Sequence, residues 1–146
     1  MKKLSYIPIA IVILAGVLSV NTHAQTSSSQ RVFANIPFAF NVGNVTLPAG
    51  RYTITVLNPS SDRRVLQIRS ANGRSSAMIM TTGITANASD DAKLVFDRYG
   101  DRYFFSKVQM AGDTTSFAAV KSSTEKAERR VVARTQKKTV VEVTAG

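Results

Sequence analysis

The chain has 146 residues, of which 19 are Lys or Arg and 9 are Asp or Glu; it has no Cys, no Trp and one His. Without cysteine there is no disulfide framework, thiolate metal site, thiol nucleophile or lipidated-cysteine anchor. The one imidazole, His23, falls in a segment expected to be removed, which leaves no histidine for acid–base or metal chemistry.

Lys2 and Lys3 precede Ile7 to Leu18, a run that is apolar apart from Pro8 and Gly16. Thr22-His23-Ala24 follows, with small residues at its first and third positions. This is the three-part pattern of a secretory signal peptide, so residues 1–24 are expected to be cut off after Ala24. The rival, a retained anchor, needs about 20 apolar residues, and this run is shorter. Removing 24 residues that carry two lysines leaves 122 residues with a formal charge of +8. A chain of that length is expected to form one domain, residues 32–146, behind a flexible leader at 25–31.

From Val32 the apolar period becomes two. Val32, Ala34, Ile36, Phe38 and Phe40 share one face, and Asn35 and Asn41 the other, with Pro37 pointing to an edge strand or a bulge. Leu47-Pro48-Ala49-Gly50 is a turn, because Pro presets φ at its second place. Tyr52, Ile54 and Val56 then alternate with Thr53 and Thr55 as a strand. After the loop at Asn58 to Asp62, Arg64 to Ser70 is a strand with Leu66 and Ile68 inward. Asn72-Gly73 predicts a type I′ hairpin turn into Ser75 to Thr82. Ala77 to Met80 is apolar on both faces, which predicts a central or covered strand. Gly83 to Asp91 is expected to be a polar crossing loop. Lys93 to Tyr99 and Arg102 to Met110 pair through Gly100-Asp101, with Gly at the first central position of a type II′ turn. Gly112-Asp113 turns the chain into Thr114 to Val120.

The C-terminal segment, 121–146, changes character. Ser122-x-x-Glu125 has the form of a capping box, where serine and glutamate satisfy each other's free amides. A basic helix over Thr124 to Thr135 follows, with a thin apolar stripe of Ala127, Val131 and Val132, and a last strand at Thr139 to Val143.

The motifs Asn35-Ile36-Pro37-Phe38-x-Phe40, Leu47-Pro48-Ala49-Gly50-x-Tyr52 and Arg98-Tyr99-Gly100-Asp101-x-Tyr103-Phe104, in this order, resemble those of uncharacterised small exported bacterial β-sandwich proteins. The resemblance implies the fold and the export, and implies no activity or ligand.

Little catalytic chemistry remains. Asp97 and Asp101 flank one hairpin, but hydrolysis by two carboxylates needs a raised and an ordinary pKa across a cleft. Asp90-Asp91 lacks the spacing of a calcium loop, and neither a nucleophile elbow nor a phosphate-binding glycine loop occurs. No cofactor and no metal is expected. Two candidate binding sites stand out. Arg98, Tyr99, Asp101, Arg102 and Tyr103 form a polar–aromatic recognition hairpin, able to stack on a sugar and hold an acidic group. Arg129, Arg130, Arg134, Lys137 and Lys138 form a candidate anion-binding set, within a stretch of seven basic residues and two acids from Lys121 to Lys138. That stretch has no aromatics to stack on bases, so nucleic acid is not expected as a partner.

The expected fold is all-β: an antiparallel sandwich, Ig-like or Greek-key, of about seven or eight strands with one short C-terminal helix. The inward residues are Phe38, Phe40, Tyr52, Ile54, Val56, Leu66, Ile68, Ile79, Leu94, Phe96, Phe105 and Phe117. The expected function is that of a non-catalytic protein of the periplasm or outside the cell, acting by binding or structure, with an envelope polysaccharide or protein as partner. The alternatives are an anion-surface binder working through the basic C-terminal segment and a small carboxylate-based glycan hydrolase. No transmembrane segment remains once the leader is gone.

Overall fold

The computed structural model describes residues 30–133 and 138–145; the expected signal peptide, most of the leader, Arg134 and Lys137 lie outside these residues. The described chain is mostly strand, with one short helix. In order come β1 (Arg31–Ile36), β2 (Phe40–Val42), β3 (Val45–Leu47), β4 (Gly50–Val56), β5 (Arg63–Ser70) and β6 (Ser76–Thr85). Then follow β7 (Ala92–Tyr99), β8 (Arg102–Gln109), β9 (Thr115–Ala119), α1 (Ser123–Val132) and β10 (Thr139–Ala145).

All ten strands belong to one connected sheet. Its main path runs β1-β4-β5-β6-β9-β8, and β8 is a branch point that also pairs with β7 and with β2. β10 continues the sheet beyond β7, and β3 continues it beyond β2. The sheet curls until β1 and β10 lie near one another without a ladder between them.

The expected all-antiparallel pairing needs one correction. β2 runs parallel to β8, with Phe40 opposite Tyr103 and Asn41 opposite Phe104. Asn41, on the face opposite Phe40, is buried. Its amide donates to the Tyr103 carbonyl at 3.0 Å and its Oδ1 accepts from the Thr46 hydroxyl at 2.7 Å. A buried amide satisfied on both ends fixes one register and penalises the others.

The strand count exceeds seven or eight because the run from Val32 to Phe40 is two strands and because Val45 to Leu47 forms β3, where no strand was expected. Pro37 lacks a donor and ends β1, and the alternation resumes in β2. β6 also extends through Gly83 to Thr85, pairing with β9, where a loop was expected. In β8, Lys107 opposes Val95 and Phe105 opposes Phe96, which leaves Ser106 as a bulge. The bulge shifts the phase of β8, so Phe105 and Val108, three residues apart, both face the core.

Two turns are informative. Gly100 has φ +60° and Asp101 a negative φ, as the expected type II′ turn requires. At Asn72-Gly73 the hairpin is present but type I′ is not, since only Gly73 has positive φ, at +71°. The Gly73 amide donates to the Ser70 carbonyl, and the Asn72 side chain accepts from the Arg74 amide and the Ser70 hydroxyl.

Of the twelve residues expected inward, eleven are buried, and Phe38 is partly buried against the core. Phe96 is central, with edge-on ring contacts to Phe38, Phe40 and Phe105 at centroid distances of 5.2, 5.4 and 5.9 Å. Such pairs add about 0.5–1.5 kcal/mol each beyond burial alone.

Candidate functional site

Beyond the bulge in β8, Asp97, Tyr99 and Phe104 are buried on the outer side of the β7–β8 pair, where α1 lies. Ser122 caps α1, its hydroxyl accepting from the Glu125 amide at 3.1 Å. The reciprocal half of the capping box is not made. The Glu125 carboxylate turns inward and accepts from Lys121 Nζ at 2.5 Å and the Tyr99 hydroxyl at 3.2 Å. Glu125 is therefore the buried residue of α1, Glu128 pairs with Arg102, and Ala127 and Val131 point away from the sheet. Of the expected apolar stripe, Ala127 and Val131 are thus on the outward side and Val132 is half-buried on the face of Glu125 and Glu128, whose polar contacts to Tyr99 and Arg102 tie the helix to the sheet.

Lys121 Nζ also donates to Asp97 Oδ2 at 2.8 Å, and Lys138 Nζ lies 2.8 Å from Asp97 Oδ1. Burial pushes the Asp97 carboxyl up, but hydrogen bonds from the two ammonium groups, and their charges, hold it below the ordinary 3.8. For Lys121 burial works toward a lower value, and its bonds to Asp97 and Glu125 override this and hold it well above the lysine range. Burial pushes the Tyr99 phenol up; the Lys121 charge opposes this, and Asp97 and Glu125 reinforce it. Two buried carboxylates are thus neutralised inside the fold, an arrangement suited to clamping α1.

The five residues of the expected recognition hairpin are split: Arg98 lies beside Asp101 and Tyr103, while Tyr99 and Arg102 are drawn toward α1. Tyr99 is buried beneath α1 and Arg102 is paired with Glu128. Tyr103 faces the other way, stacked on Phe38 at 4.0 Å with the Arg98 guanidinium 5.4 Å from its ring centroid. Asp101 is fully exposed, 3.7 Å from Arg98. Of the expected anion-binding set, Arg129 and Arg130 are exposed on α1, and Lys138 is engaged with Asp97. Among the described residues no three metal-ligating side chains cluster, and Asp90 and Asp91 are exposed.

A different surface has the features of a binding site. The outer face of β1, β4, β5 and β6 carries nothing over it among the described residues. Alternation and register place Arg31, Phe33 and Asn35 of β1 on it, with Arg51, Thr53 and Thr55 of β4. Arg63, Val65, Gln67 and Arg69 of β5 and Ser76, Met78, Met80 and Thr82 of β6 complete it. No strand residue of this face is acidic. Thr53 pairs with Arg69 and lies two residues from Arg51, so the two arginines are diagonal neighbours, about 7–8 Å apart at Cα. Between Phe33, Asn35, Arg51, Thr53 and Ala71 lies an open groove.

An apolar row crosses the same face. Leu57 bonds to Val65, Val65 pairs with Met80, and the Val120 amide bonds to the Met80 carbonyl. Phe33, Met78, Met80 and Val120 are 58%, 63%, 50% and 57% exposed. No family model, curated protein or solved structure matches the chain.

The face was half visible in the sequence. Residues 30–85 hold six arginines, no lysine and one acid, Asp62, a bias in composition that can be counted without coordinates. Met78 and Met80 stand out in the sequence as apolar residues on the second face of a central or covered strand; β6 is central, between β5 and β9, and that face is uncovered among the described residues. What the sequence could not supply is the register that sets them beside Val65 and Val120.

Proposed function

We propose that the protein is an exported, non-catalytic β-sandwich protein of the periplasm, cell envelope or extracellular space that acts by binding or by structure. The observation that carries this reading is the disposition of the carboxylates. Glycan hydrolysis by two acids needs one carboxyl with a raised pKa facing an ionised one across a cleft. Asp97 is held low by two lysines and buried under α1, while its neighbour Asp101 is fully exposed at the turn. The leader-like residues 1–24 and the resemblance to exported bacterial proteins support the location. The C-terminal alternative keeps Arg129 and Arg130 as its exposed cations, with an anionic envelope polymer or lipid as partner and no role for nucleic acid. No helix among the described residues is long and apolar enough to cross a membrane.

Fractionation with N-terminal sequencing, followed by pull-down from envelope extract, tests the proposal. The expected result is a protein beginning at Gln25 outside the cytosol that retains a specific envelope component. A cytosolic protein beginning at Met1, or release of reducing ends from envelope polysaccharide by the purified protein, overturns it.

A further inference from the structure

We infer that the outer face of β1, β4, β5 and β6 is a docking surface for an anionic lipid bilayer. The inference deepens the binding reading above and rests on it. Charge complementarity selects the occupant. Arg31, Arg51, Arg63 and Arg69 share a face whose strands contribute no carboxylate, and none of the four has an ion pair among the described residues. A second copy of the chain would set arginines against arginines. All four cations are guanidiniums, whose planar forks match phosphate oxygens two at a time.

The apolar row selects lipid over a soluble polyanion. Leu57, Met80 and Val120 stand exposed in one row with half-buried Val65 between them, Met78 lies beside Met80 on β6, and Phe33 is exposed separately on β1. A hydrated polymer would leave them in water. A bilayer accepts apolar side chains below the level of its phosphates while the arginine heads stay at that level. The open groove beside Phe33, edged by Asn35 and Arg51, offers donors at the level where a phosphate headgroup would sit. β4 and β5, in the middle of the face, are paired on both sides, and the free backbone edges, of β1 and of β6 before Met80, lie at its border.

The test is co-sedimentation with vesicles of phosphatidylglycerol and phosphatidylcholine in equal parts, against phosphatidylcholine alone. The protein recovered from cells is used, and all variants share its N-terminus, so the leader cannot account for a difference. Binding to the anionic vesicles is expected, falling steeply between low and high salt. R51Q/R69Q should weaken it by about fivefold for each charge removed. M78S/M80S should weaken it about tenfold or more through lost burial. K126Q/R129Q/R130Q on α1 should change it less than about twofold, because that helix lies off the face. Far-ultraviolet circular dichroism and urea midpoints confirm that each variant is folded. Absent binding, or binding lost only in the α1 variant, overturns the inference. So does binding to polygalacturonate that M78S/M80S leaves unchanged while vesicles are ignored; that result would keep the broader binding reading and reject lipid. If neither vesicles nor any envelope component is retained, both fail.

Discussion

At Asp97 two ammonium groups hold one buried carboxylate, and at Lys121 one ammonium holds two carboxylates. Removing one partner of a fully buried pair costs about 3–5 kcal/mol. Lys121→Met should cost less, about 2 kcal/mol, because its side chain is 35% exposed and Asp97 keeps Lys138. Urea denaturation measures this, and the double variant D97N/K121M should recover part of the loss. The pH dependence follows from the directions of the shifts. Asp97 is held below 3.8 in the fold, so its contribution is present above that value and is lost as pH falls through the folded pKa. Lys121 is raised from 10.5 and Tyr99 from 10.0, so their contributions are complete below those values and are lost as pH rises beyond them. Urea midpoints should therefore form a plateau from about pH 5 to pH 9, falling on both sides, and D97N should flatten the acid limb.

α1 is a helix whose hold on the sheet is electrostatic, and its N-cap carries the only hydroxyl that accepts one of its first amides among the described residues. Ser122→Ala should cost about 1 kcal/mol, whereas Ala127→Lys, on the outward side, should stay within about 0.5 kcal/mol. Thermal melts of the two variants separate this docking from an apolar one, in which the second substitution would be the harmful one. The S-x-x-E spacing made the cap legible in the sequence. The direction of the helix was not legible, because Lys121, Glu125 and Glu128 find Asp97, Tyr99 and Arg102 on distant strands, and such long-range contacts leave no local period. Strands with strict alternation, such as Tyr52-Ile54-Val56, were read with their faces correct. Pro37 interrupts the first run without changing its phase, since Phe38 and Phe40 stay with the core. Alternation failed at the Ser106 bulge, and no count of apolar residues reveals a bulge whose cause is a neighbouring strand.

Across the whole molecule, chemistry divides along the chain. Residues 30–85 supply six arginines and one acid, and the remaining eight acids lie beyond them. The inner core ignores this division and is held by rings from both parts, with Phe96 touching Phe38, Phe40 and Phe105. Phe96→Ala should cost about 3–5 kcal/mol and lower the urea midpoint without changing the docking of α1, which near-ultraviolet dichroism of Tyr99 would report. Core membership was predictable from the sequence for eleven of twelve residues, because burial follows side-chain type and alternation. The bare face was legible only as a surplus of arginine, since a surface is defined by which strands lie side by side.

One strand, β8, touches β7, β9 and β2 at once. No neighbour can peel away and leave it bare, so its amides lose their shelter only when the entire molecule opens. In deuterated water the peptide spanning Tyr103 to Val108 should thus be the slowest to gain mass, at a rate set by global unfolding, while the short hairpin of β2 and β3 exchanges far sooner.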